Sequence, residues 1–253
     1  PTTTLFLPKP RLFRCIPQQA IVNHMGINNP GIEEGMENLR ARKSFKGIVG
    51  VNISKNTTTS NDEARADYLS CLRSAWNDAD YIAINFSCPN VVGLCDLLKA
   101  APAADLLACM KSEQSNLSNE TGRYVPLVMK ISPDLNEQQI RELSNIFLEG
   151  QLDGLICTNT TTTREGVEGH PHALQSGGMS GKPLYNKSAE VLEAFAKELQ
   201  GRIPIIGVGG INSPEDAVGK IKAGASLVQL YSGFIYQGPN LIRDSAEAIK
   251  KMR

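Results

Sequence analysis

The chain has 253 residues, enough for the core of one α/β barrel or one open sheet, and 26 Lys and Arg balance 26 Asp and Glu. That balance offers neither the basic footprint of a nucleic-acid binder nor an acidic tail. No apolar run reaches the roughly 18 residues of a membrane span, and the opening PTTTLFLPKPRLFR lacks the charged start and apolar centre of a signal peptide.

In chain order, GIVGVNI (47–53) predicts a strand and 61–79 a helix, followed by strands at YIAINF (81–86) and PLVMKI (126–131). Residues 136–149 predict a helix, with Ile140, Leu143, Ile146 and Phe147 in one stripe and Asn136 with Gln139 as a capping box. DGLICT (153–158) predicts a strand and 187–200 a helix striped by Val191, Leu192, Phe195 and Leu199. PIIGVG (204–209) predicts a strand, Ser213–Pro214 with Asp216 a helix start, SLVQLY (226–231) a strand and 240–252 a closing helix. The strands are short, rich in Val and Ile and weakly alternating, as strands covered on both faces are. Their alternation with helices argues for parallel βαβ units with right-handed crossovers.

Polar residues follow the carboxyl ends of nearly all six strands: Asn52, Asn85 to Asn90, Lys130, Thr158 to Thr160, Gly209–Gly210 and Tyr231–Ser232. Barrel enzymes build their sites on that face, so the fold expected is a (β/α)8 TIM barrel, one domain over 1–253. About six units are present. A six-strand set left open would expose two edges, so the remaining strands are expected before residue 1.

Three glycine-rich stretches, GGMSGKPL (177–184), GVGGI (207–211) and LVQLYSG (227–233), read as loops. The last two lie where barrels bind phosphate, since glycines let backbone N–H groups approach an anion and Ser213 opens a helix whose N terminus favours negative charge. The alternative is that these glycines only serve tight turns. Lys130 ends an apolar strand and is either a rim lysine or a cation beside a cofactor that becomes negative on reduction. Asn23, Asn85, Asn90 and Asn159 offer amide donors and acceptors suited to a flat polar heterocycle, although single asparagines after strands are commonly turn residues. Cys88, between Ser87 and Pro89–Asn90, is either a buried structural thiol or a base or nucleophile. The six cysteines form no C-x-x-C pair, and His170-Pro-His172 lacks ligand spacing, so no metal site is expected. Scattered free thiols suit a reducing compartment.

Taken together, KPRLFR (9–14), NHMGINNPG (23–31), GVNISKN (50–56), NFSCPN (85–90), VMKISPDL (128–135), TNTT (158–161), GGMSGKPL (177–184), IPIIGVGGI (203–211) and GASLVQLYSGFIYQGP (224–239) resemble dihydroorotate dehydrogenase. The likeness is greatest to its membrane-associated, quinone-using class. The resemblance implies an FMN-containing (β/α)8 barrel that oxidises dihydroorotate to orotate in pyrimidine biosynthesis, with Cys88 as catalytic base and quinone as electron acceptor. It implies FMN contacts from Asn52, Asn85, Lys130, Thr158, Gly181, Gly210, Tyr231 and Ser232. Asn23, His24, Met25, Gly26, Ile27, Asn85, Asn90, Asn159 and Thr160 would line the orotate pocket, and 87–99 would form a lid. It further implies peripheral contact with an energy-coupling membrane, bacterial or mitochondrial, through a segment outside this chain. PTTTLF is read as the end of the second barrel strand or the loop after it. The sequence departs from the quinone-using class at three positions: Cys88 replaces its usual serine, and Cys95 and His24 stand where arginine is usual. A cysteine base is the habit of the soluble classes, which leaves a soluble acceptor (fumarate or NAD) as one alternative and a flavin-binding barrel without turnover as another.

Overall fold

The computed structural model describes residues 9–41, 45–91 and 93–252. The reading of PTTTLF therefore lies outside the described residues.

Six strands form one parallel sheet: β3 (Gly50–Ile53), β4 (Tyr81–Asn85), β5 (Leu127–Ile131), β6 (Gly154–Cys157), β8 (Ile205–Val208) and β9 (Leu227–Gln229), in that spatial order. They are the six strands expected, each a residue or more shorter than its apolar run. Neighbours in the sheet follow chain order, so each crossover helix covers the sheet before the next strand is added. The sheet curls as part of a barrel, and among the described residues β3 and β9 do not pair with each other.

The helices are α1 (Ile32–Ala41), α2 (Ala64–Ala75), α3 (Ala100–Thr121), α4 (Glu137–Glu149), α5 (Tyr185–Leu199), α6 (Pro214–Lys222), α7 (Ser232–Gln237) and α8 (Asn240–Met252). Both expected caps are present. Asn136 accepts from Gln139 N while Gln139 accepts from Asn136 N, and Ser213 with Asp216 makes the same reciprocal pair. Helices α1, α3 and α7 were not anticipated. In α3 the buried Ala103, Leu106, Leu107, Met110 and Gln114 keep helical spacing, but alanine and a glutamine replace large apolar residues, which weakens the stripe. The main core lies between helices and sheet, where Trp76, Phe86, Phe147 and Phe195 are buried among the aliphatic strand residues.

A second sheet was also not anticipated. β1 (Leu12–Cys15), β2 (Ala20–Asn23) and β7 (Gly178–Gly181) form an antiparallel flap in the order β1-β2-β7, with its own core of Cys15, Ala20, Val22, Val167 and Met179. The stretch expected as a glycine-rich loop at 177–184 is therefore half strand, over Gly178–Gly181, followed by a single 3-10 turn over Lys182–Leu184. Its glycines admit close neighbours. A Cβ on Gly178 would lie 2.0 Å from Thr160 Oγ1, and one on Gly181 (φ +99°) would lie 2.2 Å from Gln19 O. Thr161 and Met179 exchange both backbone hydrogen bonds and tie the flap to the end of β6.

Candidate active site

Side chains alternate along a strand, so one inward-facing residue identifies the next. Ala83, Val128, Ile156 and Val208 form a small apolar cluster on the concave face of the sheet. Two positions further on stand Asn85 and Lys130, within their strands, and Thr158 and Gly210, just past the ends of β6 and β8; all four line one cavity. Register sets Asn85 directly beside Lys130, and Asn52 beside Ala83.

These tips border two adjoining cavities. The first, about 420 Å³, is lined by Asn23, Met25, Gly26, Asn85, Lys130, Thr158, Asn159, Thr160, Gly181, Gly210, Tyr231 and Ser232 among the expected residues. The second, about 500 Å³, is lined by Gly26, Ile27, Asn52, Asn85 and Cys88 among the expected residues, and it shares Gly26, Asn28 and Asn85 with the first. Seventeen residues were singled out as site residues, and only His24 and Asn90 line neither cavity. His24 points away and packs 5.6 Å from the Phe13 ring, with Nδ1 3.2 Å from Ser176 O. Asn90 acts on the wall: its Nδ2 donates to Asn23 Oδ1 (3.0 Å) and its Oδ1 accepts from Gly178 N (3.2 Å). Asn23 Nδ2 in turn donates to Gly178 O (3.3 Å). This closed ring of three residues locks the Cys88-Pro89-Asn90 turn to the flap.

Hydrogen bonds hold the end of β4 rigidly. Ser87, fully buried, donates from Oγ to Lys130 O (2.6 Å) and accepts from Asn159 Nδ2 (3.1 Å). Asn159 Nδ2 also donates to Asn85 Oδ1 (3.2 Å), and its own Oδ1 accepts from Thr160 N (2.9 Å). From behind, the buried Tyr68 hydroxyl donates to Asn85 O (2.8 Å). Asp134 accepts from Thr161 Oγ1, from Thr162 N and Oγ1 and from Lys187 Nζ, which anchors the loop carrying Asn159 and Thr160. Ser87, Tyr68 and Asp134 were not among the expected site residues. Ser87 left a trace in the sequence as part of the polar run after β4, and Asp134 as part of the VMKISPDL motif. Tyr68 acts from a helix distant in sequence, and Asp134 from the loop after β5.

Burial lowers the Lys130 ammonium from the usual lysine value, and the Cys88 thiolate acts in the opposite sense. Among the described residues no hydrogen-bond acceptor engages Lys130 Nζ, so a cation lines the cavity without a partner. Burial likewise pushes the Cys88 thiol up, offset in part by the Asn90 backbone N–H and by Lys130. Beyond Cys88, the expected lid carries Leu94, Leu97 and Leu98 into the main core, so this part of 87–99 is anchored.

The opposite wall is built from backbone. Gly209 (φ +117°) and Gly210 (φ +76°) turn sharply after β8, and a Cβ on Gly210 would lie 2.3 Å from Tyr185 Cα. The N terminus of α6 is already in use, since Asp216 Oδ2 accepts from Asn212 N (2.9 Å) and Ser213 N (3.0 Å). The glycine turn, rather than the helix end named in the sequence reading, is the part of this wall left for an anion. No cluster of His, Cys, Asp and Glu fit to hold a metal occurs among the described residues.

The family model that matches residues 7–252 describes dihydroorotate dehydrogenase. A dihydroorotate dehydrogenase (quinone) of Akkermansia muciniphila is 62% identical over 242 residues, covering 96% of this chain and 70% of that protein. One from Dechloromonas aromatica is 49% identical over 244 residues, with the same coverage of both. The ligand-free dihydroorotate dehydrogenase structure from Eimeria tenella superposes with a TM-score of 0.91 at 33% identity, covering 98% of this chain and 74% of that one. This chain belongs to the dihydroorotate dehydrogenase family.

Proposed function

We propose that this protein oxidises dihydroorotate to orotate in pyrimidine biosynthesis, with FMN as cofactor and quinone as electron acceptor. The observation that carries the reading is the convergence of Asn85, Ser87, Asn159 and Lys130 in one hydrogen-bonded cluster at the strand tips, with Cys88 on the adjoining wall.

The residues present fit FMN. The Gly209–Gly210 turn has no room for a Cβ and suits a phosphate, and the unpartnered Lys130 ammonium suits a ring system that gains negative charge. Asn52, Asn85, Lys130, Thr158, Gly181, Gly210, Tyr231 and Ser232 would hold it. When bound, FMN supplies the acceptor for the hydride leaving C6 of dihydroorotate. Cys88, as thiolate, takes the proton from C5. Asn23, Asn85, Asn90, Asn159 and Thr160, with the backbone of 24–27, orient the pyrimidine amides. The Asn90–Asn23–Gly178 ring supports that wall and excludes water from the base. Lys130 contributes fixed positive charge at the end of β5, where it needs no reorganisation during reaction.

Quinone as acceptor places the protein against a membrane, because its oxidant is lipid-borne. The contact proposed is peripheral; among the described residues no helix is long and apolar enough to cross a membrane. Cys88 in place of the quinone class's serine favours a second reading, in which the same half-reaction passes electrons to fumarate or NAD. Anaerobic dihydroorotate should bleach the flavin absorbance, and a short-chain quinone should restore it faster than fumarate or NAD. Persistent yellow colour under dihydroorotate would discard the oxidation, and faster recovery with fumarate or NAD would discard the quinone.

A further inference from the structure

The wall behind the glycine turn contains a charged residue that none of the roles above uses. Lys220, near the end of α6, is 0% exposed. Its Nζ donates to Ser188 Oγ (2.5 Å) and to Tyr185 O (3.1 Å) and lies 4.5 Å from the centre of the Tyr185 ring. Ser188 Oγ, also buried, reaches Gly209 O at 2.9 Å. The groups whose charge acts on Lys220 are the Cys157 thiol at the end of β6 and the Asp216 carboxylate on its own helix, and the Tyr185 phenol of α5 borders it. Asp216 is held by the backbone N–H groups of Asn212 and Ser213, and among the described residues no carboxylate pairs with Lys220. Burial of the ammonium with no carboxylate in contact disfavours its charge, and an anion close by would hold it protonated. The nearest free anion cradle is the Gly209–Gly210 turn, one hydroxyl away.

We propose that Lys220 is the positioning residue of this cradle. Through Ser188 it fixes the Gly209 carbonyl, and it sets a buried positive charge behind the turn, so that the site selects a flavin carrying a phosphate over one without. The proposal rests on the cofactor reading for the identity of the ligand. Burial lowers the free Lys220 ammonium to about 7, and an anion in the cradle raises it. The Lys220 contribution to binding is then full below about 7 and fades as pH climbs through the bound-state value.

The test compares dissociation constants for FMN and riboflavin by flavin fluorescence. Lys220→Met should weaken FMN about tenfold or more and riboflavin less than about twofold. Ser188→Ala should weaken FMN selectively by a few-fold. Equal weakening of both flavins, or of neither, would overturn the assignment. The native protein provides the same test without a variant. Its preference for FMN over riboflavin should decline between pH 7 and 9, where the flavin phosphate keeps a constant charge, and a flat preference would count against Lys220. Inorganic phosphate as a probe separates this result from failure of the cofactor reading. Phosphate should raise the melting temperature of the native protein but not of Lys220→Met, even if neither flavin binds, and an equal response in both would overturn the proposal.

Discussion

The two walls of the site solve different problems with different parts of the chain. At the tips of β4, β5 and β6 the chemistry resides in side chains: Asn85, Ser87 and Asn159 are joined by hydrogen bonds, Ser87 also donates to the Lys130 carbonyl, and the Lys130 ammonium and the Cys88 thiol stand alongside. At the tip of β8 it resides in the backbone, where Gly209 and Gly210 adopt conformations closed to other residues and the side chains of Ser188 and Lys220 serve only to hold them. A side-chain wall can be stripped of one function while the fold and the ligand remain. A backbone wall has no such separable part, and damage to it removes the ligand. The difference arises because a side chain ends at its functional group, whereas a main-chain N–H is aimed by every torsion around it.

The largest effect is expected where that contrast is sharpest. Cys88→Ala should keep its flavin and lose roughly 10²- to 10⁴-fold in the rate of flavin reduction by dihydroorotate, since only the proton acceptor goes. Unchanged stopped-flow traces would remove Cys88 from the mechanism. Gly210→Ala should do the reverse. Its Cβ would meet the Tyr185 backbone at 2.3 Å, so bound flavin should fall by about a hundredfold in affinity, with whatever flavin remains still reducible. Full occupancy in that variant would show that the turn is not the phosphate site.

A smaller effect separates the two walls by pH. The Cys88 thiol is held above its ordinary value by burial, and its reactive form is the thiolate. Flavin reduction should therefore rise about tenfold per pH unit through neutrality and still be rising at pH 8. A plateau below pH 7 would contradict the thiol base. Flavin affinity should move the other way as Lys220 loses its proton, so the two walls should give opposite slopes.

The smallest effect is expected at the seam between the strand tips. Ser87→Ala leaves the Lys130 carbonyl without its donor and removes one of two acceptors from Asn159 Nδ2, which should cost about 1–3 kcal/mol of stability and lower reduction a few-fold. Thermal melting of the variant, together with its reduction rate, checks both. Native values in both would show that this seam is redundant with the Asn159–Asn85 bond.

The amino-acid sequence by itself determined the six parallel strands and five of the helices. Short runs of Val and Ile and two reciprocal caps are local signals that need no partner to be read. Strand alternation carries Asn85 and Lys130 to one face because the side-chain period of a strand is two, and parallel pairing then sets them side by side. Tertiary structure alone decided the rest. The flap joins residues 12–23 to 178–181, and its short, glycine-containing strands acquire their hydrogen bonds only when distant segments meet. The same holds for the supports behind the site. Tyr68, Ser188 and Lys220 carry no local signature, and each becomes functional through a partner 17 or more residues away. Which polar residue is a solvated surface group and which is a buried brace is settled by where packing excludes water.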